Sequence, residues 1–339
     1  MDSKVVVVTG ASAGVGRAIA HEFARYGSIL VLMARNRVSL EGTVREVEEL
    51  GGKAYYHTVD LAFPEQVERA ASETEKNIGP IDIWINNAMN SVFSPFNQMQ
   101  PDEFKRVTEV TYLGQVYGTM AALKYMLPRN RGKIVLVGSA LAYRGIPLQS
   151  AYCGAKHGVQ GMFDSLRSEL IHDKSKVAIT MVQLPALNTT QFGWVKSRLP
   201  NKPRPMGKIF QPEVAARAIR YAAQHNRREI LVAFPTFKAV IGNKFFPGLL
   251  DRILAKNGID GQQTSEPVGK ERKHNLWEPV PGNHSAHGTF DHLAHSRSPL
   301  LWMSTHWRVV VLLTLLFILV IILIIAFKIQ SPPVPNHIP

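Results

Sequence analysis

"KVVVVTGASAGVG", residues 4–16, carries two signals side by side. Four consecutive valines between turn-forming neighbours have the pattern of a strand buried on both faces. The glycine-rich run that follows, Thr9, Gly10, Ala11, Ser12, Ala13, Gly14, Val15 and Gly16, leads into the amphipathic stretch GVGRAIAHEFARYG. A strand that must turn sharply into a helix needs residues tolerant of unusual φ, and glycine is the default. The free N–H groups and positive end of the helix dipole then suit a pyrophosphate. The context predicts a nucleotide turn built from Gly10, Ser12, Ala13, Gly14, Val15 and Gly16.

Outward from this stretch, β-branched runs alternate with helical periods as far as about residue 235. SILVLMA, KAYYHTVD, IDIWINNA, GKIVLVGSA, KVAITMVQL and REILVAF read as strands, with helices between them. One of these helices is predicted as a single long element over PDEFKRVTEVTYLGQVYGTMAALKYML. Continuous apolar strands alternating with helices imply an α/β fold, a doubly wound parallel sheet covered on both faces. Residues 1–255 are assigned to this domain. Its last part, 236–255, is apolar but broken by Gly242 and Pro247, and an ordinary buried segment is the favoured reading.

About twenty residues beyond the glycine turn, the second strand should end on the group that meets the adenosine ribose. The stretch there is MARNR, with Arg35 and Arg37 and no carboxylate. An acid would bind the 2′-hydroxyl of NAD, whereas a guanidinium fork matches a 2′-phosphate. The expected cofactor is therefore NADP rather than NAD, with Arg35 as its main contact.

Tyr152 and Lys156 in SAYCGAKHG stand four apart, on one face of a helix. Ser139 ends the strand GKIVLVGS. These three groups can meet at the carboxyl edge of the sheet, where open α/β sheets bind ligands.

The chain resembles the short-chain dehydrogenase/reductase family in TGASAGVG at 9–16, Asp60-Leu61, NNA at 86–88, Ser139 and YCGAK at 152–156, in that order and over about residues 3–235. The resemblance implies a Rossmann fold and hydride transfer between a nicotinamide and a hydroxyl or carbonyl group. Tyr152 would be the acid/base. Ser139 would bind the substrate oxygen, and Lys156 would favour the phenolate and hold the nicotinamide ribose. It further implies that Asp60 and Leu61 meet the adenine, that Asn87 lines the adenosine ribose, and that Thr189 or Thr190 meets the carboxamide. A homo-oligomer is implied through the long fourth and fifth helices. Three positions depart from the family pattern. Thr111 stands where many members carry the Asn of a proton relay, Met89 replaces Gly after NNA, and Ala186 replaces Gly after Pro185. No metal is required by this chemistry.

A formal net charge of +13 admits nucleic acid, an anionic membrane or an anionic ligand as partner. No basic tract interleaved with aromatics supports nucleic acid. The single cysteine, Cys153, excludes an intrachain disulfide. Paired histidines at 284, 287, 292 and 295 lack the companions of a metal site. The region expected to cover the substrate is 188–210, and its lysines and arginines read as solvated surface or subunit contacts.

Residues 256–306 are rich in Gly, Pro, Ser and His and read as a linker, with one docked piece around Leu276 and Trp277. Val309–Phe327 follows with Thr314 as its only polar member. At ~1.5 Å per residue it spans roughly 28 Å, close to a bilayer's ~30 Å hydrocarbon core. Trp302, Trp307, Arg308 and Lys328 flank it as interfacial groups do. The expectation is one transmembrane helix at 307–328 and a short Pro-rich tail at 329–339. This would be a single-pass tail anchor with the catalytic domain in the cytoplasm. Such an address suggests an apolar small-molecule substrate. The alternative is a catalytically weak, membrane-tethered NADP-binding scaffold or sensor.

Overall fold

The computed structural model describes residues 4–269 and 272–330. In chain order its elements begin with β1 (Val5–Thr9), α1 (Gly14–Ala24), β2 (Ile29–Ala34), α2 (Arg37–Glu49), β3 (Lys53–Thr58), α3 (Pro64–Asn77) and β4 (Ile81–Asn86). Then come β5 (Val92–Phe93), α4 (Pro101–Thr108), α5 (Gly114–Met126), β6 (Lys133–Ser139), α6 (Ser150–His172) and β7 (Ala178–Leu184). The substrate side adds α7 (Gln191–Trp194), β8 (Lys196–Ser197), β9 (Asn201–Pro203), α8 (Pro212–Gln224) and β10 (Glu229–Leu231). The chain continues through α9 (Phe234–Phe245), α10 (Pro247–Asn257), β11 (Gln263–Pro267), α11 (Pro299–Thr305) and α12 (Trp307–Gln330).

Seven strands form one sheet in the order β10-β7-β6-β4-β1-β2-β3, and every pairing in it is parallel. The valines of β1 explain the two covered faces. Side chains alternate across a strand. Val6 and Val8 therefore join a core with Leu30, Leu32, Ala215 and Ile219 on one side. Val5 and Val7 join Val31, Met33, Ala121 and Phe163 on the other. The chain runs outward from β1 to β3, then restarts at β4 on the opposite side of β1. That reversal opens a crevice at the carboxyl ends of β1 and β4.

The long helix predicted over 101–127 is divided. A five-residue π-helical stretch, Glu109–Leu113, separates α4 from α5. Thr111 lies in it, fully buried. Its hydroxyl donates to the Asn90 carbonyl at 2.9 Å and accepts from the Asn90 amide at 2.8 Å. A side chain so engaged with a neighbouring loop accompanies the distortion that periodicity alone does not reveal.

Two expectations for the C-terminal third are corrected. The segment 236–255 is not buried: in α9 only Thr236 is buried, and in α10 nothing is. Phe237, Phe245, Phe246 and Leu249 face outward. The compositional linker is not loose either. Residues 274–298 pack along the domain, with Leu276, Ala286, Phe290 and Ser298 buried. The docked piece foreseen at Leu276 is thus part of a longer contact. Several of its backbone carbonyls are met by side chains and amides of the domain, so it docks with little regular structure of its own. Beyond it, α12 includes a 19-residue span, Trp307–Ile325, of mean hydropathy 3.3 with none of it buried. It is long and apolar enough to cross a membrane. The Pro-rich tail from 331 lies outside the described residues.

Candidate active site

The glycine turn owes its shape to close backbone approach. Gly10 and Gly14 take φ of +67° and +55°, which side-chain-bearing residues adopt at a cost. A Cβ on Gly16 would lie 2.0 Å from the Gly10 carbonyl oxygen and 2.8 Å from Asn87 Nδ2. Gly16 therefore shapes the turn from behind. Asn87 Nδ2 donates to the Thr9 carbonyl at 2.9 Å, tying β4 to the turn across the crevice. No side chain caps α1, whose N-cap is Ala13.

Gly10, Ser12, Ala13, Gly14, Val15, Arg35, Asp60, Leu61, Asn87, Ser139, Tyr152, Lys156, Thr189 and Thr190 all border one cavity of about 530 Å³. Of the predicted site residues, Gly16 and Thr111 do not border it. Asp60 is less free than expected. Its carboxylate pairs with buried Arg106 and accepts from the Ala62 amide at 3.1 Å.

At the chemical end, Ser139 closes β6 and Tyr152 and Lys156 project from the first turns of α6. Lys156 is 1% exposed and its ammonium donates to the Val137 carbonyl at 2.6 Å. It sits 5.6 Å from the centre of the Tyr152 ring. Burial lowers the Lys156 pKa to about 7. Burial also pushes the Tyr152 phenol above its usual range, and the hydrogen bond from Ser139 offsets part of this. Each group is costly to charge alone in this buried setting. Thr190 Oγ1, buried on the cavity wall, has no hydrogen-bond partner among the described residues. The glycine turn, Arg35, Lys156 and Thr190 gathered on one cavity together fit a dinucleotide.

The substrate side is anchored through an acid that sequence reading passed over. Glu103 of α4 is 1% exposed. It receives Lys196 Nζ at 2.6 Å and Arg198 at 2.9 Å. Burial would raise its pKa, but the bonds from Arg198, Lys196 and the Gln100 amide hold it at about 2. Two of the basic residues expected on the surface thus turn inward and fix the loop. The same end of the cavity is lined by Leu187, Phe192, Trp194, Met206 and Ala239, an apolar wall.

Sequence reading also missed Arg17, Asn275, Pro279, Val280 and His284. The last four border the cavity from the C-terminal segment. Arg17 is 1% exposed on α1 and reaches that segment at Asn283 Oδ1, 2.8 Å away. A lone Arg inside an amphipathic helix gives no hint of a partner 266 positions away.

The family described as short chain dehydrogenase matches residues 4–198. The chain belongs to the short-chain dehydrogenase/reductase family, whose members are oxidoreductases. It is 31% identical over 300 residues to the uncharacterized oxidoreductase YxnA of Bacillus subtilis (strain 168), covering 88% of this chain and 84% of that one. It is 30% identical to estradiol 17-beta-dehydrogenase 11 of Pongo abelii, covering 75% and 84%. Among solved structures, an alcohol dehydrogenase from the archaeon Thermococcus sibiricus, complexed with 5-hydroxy-NADP, superposes with a TM-score of 0.59 at 27% identity, covering 68% of this chain and 96% of that one.

Proposed function

We propose that this protein is a membrane-anchored, NADP-dependent oxidoreductase acting on a hydroxyl or carbonyl group of a lipophilic small molecule. The convergence of Ser139, Tyr152 and Lys156 with the glycine turn on one cavity carries this reading. Bound NADP(H) would supply or accept the hydride. Arg35, at the end of β2 without a neighbouring carboxylate in its loop, would meet the 2′-phosphate, and an NADP derivative bound to the Thermococcus enzyme supports that choice. Gly10, Ser12, Ala13, Gly14 and Val15 would cradle the pyrophosphate while Gly16 keeps the turn tight. Asp60, held by Arg106, and Leu61 would border the adenine, and Asn87 the adenosine ribose. Thr189 or Thr190, both on the cavity wall, would meet the carboxamide.

Tyr152 exchanges a proton with the substrate oxygen. Ser139 donates to the same oxygen and steadies its charge in the transition state. Lys156 binds the nicotinamide ribose hydroxyls and, as a cation, lowers the phenol's pKa. Thr111 contributes position rather than a side-chain relay, because its hydroxyl is spent on Asn90.

A lipophilic substrate is supported by the apolar wall and by the exposed aromatics of α9, whose first turn borders the cavity through Pro235 and Thr236. The name of the 17-beta-dehydrogenase relative points the same way. The α12 span would hold the domain on the cytoplasmic face of a bilayer as a single-pass anchor. Exposed Met120 on α5 and Ile171 on α6 suit a homo-oligomer contact.

The test is NADPH oxidation by the full chain in detergent against a panel of apolar ketones and aldehydes, with NADH alongside. Turnover with NADPH preference is expected, and it should vanish in Tyr152→Phe while NADPH binding persists. Full turnover by that variant refutes the role of Tyr152. Tight NADPH binding without turnover on any substrate favours the scaffold or sensor reading instead.

A further inference from the structure

Residues 275–285 lie far outside the segment that defines the family, residues 4–198. Yet they are fastened across the adenosine side of the nucleotide cavity, in part by Arg35 and Gly14, two residues expected to face NADP. Arg35 donates to the Asn275 and Trp277 carbonyls, each at 2.5 Å. Asn36 donates to Val280 at 2.8 Å and Gly282 at 3.1 Å. Arg106 and Asn90 both donate to the Leu276 carbonyl at 3.1 Å. Arg17, itself anchored by Glu46, reaches Asn283 and the His284 carbonyl. The Gly14 amide, at the start of α1, donates to the Ser285 carbonyl at 3.1 Å.

The packing is as close as the hydrogen bonding. Leu276 is fully buried among Val92, Val107, Ala151 and Tyr152. A Cβ on Gly42 would lie 2.3 Å from Asn283 Oδ1. The His284 ring meets Trp194, of the substrate loop, edge-on with centres 4.4 Å apart. Despite these contacts the segment does not fill the crevice. Asn275, Pro279, Val280 and His284 border the same cavity as the glycine turn and Tyr152. It is a wall around a remaining space, with the size of a ligand pocket.

We propose that residues 275–285 form a strap that is part of the dinucleotide site: it encloses the adenosine half of bound NADP(H) and must open for the cofactor to exchange. This inference rests on the NADP reading above. It adds a contact set that the glycine turn and Arg35 do not supply. The carbonyls of Asn275 and Trp277 hold two guanidinium N–H groups of Arg35, so the orientation of its fork is fixed before a phosphate arrives, which favours binding. The strap also links the two ends of the site, because Leu276 supports Tyr152 while His284 supports the substrate loop. The YxnA match, at 300 residues, extends past position 285 and so takes in this segment.

The experiment compares the full chain in detergent with Leu276→Ala and Asn283→Ala. NADPH fluorescence gives the affinity, and a stopped-flow chase with excess NADP⁺ gives the release rate. Release at least about tenfold faster in both variants is expected, with weaker binding. Amide hydrogen exchange of wild type should show residues 275–285 gaining protection when NADPH binds, which decides the matter even if a variant fails to fold. Unchanged protection and unchanged release in proteins that bind NADPH would overturn the strap. So would tighter binding in the variants, since the segment would then be a competitor for the site. Failure of wild type itself to bind NADPH removes the cofactor reading, and is distinct from both.

Discussion

Replacing Lys156 by Met should make the cofactor-free protein more stable and the enzyme nearly inactive. Lys156 is 1% exposed, with a pKa lowered by burial from 10.5 to about 7. That difference corresponds to about 5 kcal/mol against the folded state at neutral pH. Relaxation and water entry reduce such penalties, so a gain of about 2–4 kcal/mol is expected from an apolar side chain of similar length. The substitution leaves little unsatisfied, because Gln115 Nε2 also donates to the Val137 carbonyl, at 3.3 Å. For a domain of this size the gain raises Tm by about 3–6 °C. The sign of the pH dependence follows from the lowered pKa. Between about pH 7 and 10.5 the unfolded wild type binds the proton that the folded form lacks, so wild-type stability rises with pH across that window. The variant loses this dependence, and its advantage should shrink by about 2–3 kcal/mol from pH 7 to pH 9. Urea unfolding of both proteins without cofactor at the two pH values measures it. Turnover should fall by at least about 100-fold, the usual loss for an acid/base system deprived of a partner. A Lys156→Met protein less stable than wild type at pH 7, or a stability gap indifferent to pH, would refute the account of Lys156 as a cation held at a cost for function.

Gly16→Ala places a methyl group 2.0 Å from the Gly10 oxygen, so the turn must shift; NADPH affinity should drop by about 100-fold or more and stability by about 1–3 kcal/mol, read by fluorescence titration and thermal melting. Glu103→Gln removes the charge that holds Lys196 and Arg198, and should raise KM for substrate more than it lowers NADPH affinity, measured in steady-state kinetics. His287 bridges Glu213 at 2.8 Å and Asp291 at 2.7 Å; burial opposes its charge, but these carboxylates raise its pKa. Its contribution is present at acidic pH and lost as pH rises above about 6.5 and through the raised value, so exchange of amides near residue 287 should accelerate at alkaline pH beyond the intrinsic rate, and His287→Gln should abolish the difference. Deleting residues 307–339 should free the domain from detergent with NADPH affinity intact, whereas deleting 272–339 should cost affinity, as gel filtration and titration will tell.

Sequence alone determined the parts of this protein that depend on neighbours along the chain. Four valines covered on both faces, glycines at a strand-to-helix turn, a Tyr and a Lys one helical turn apart, and an apolar run of bilayer length each express a local period or backbone requirement. The parallel sheet, the shared cavity and the candidate span follow from them. Tertiary structure decided what depends on partners distant in sequence. The π-helical break around Thr111 comes with hydrogen bonds to Asn90, and Lys196 and Arg198 turn inward onto Glu103. The strap is the clearest case. Its Gly, Pro and Ser content has no period because it forms no element of its own, and its carbonyls are met by Arg17, Arg35, Asn36, Asn90 and Arg106 from the opposite end of the chain. Composition reports whether a segment can satisfy its own backbone; only the folded chain shows which other residues satisfy it instead.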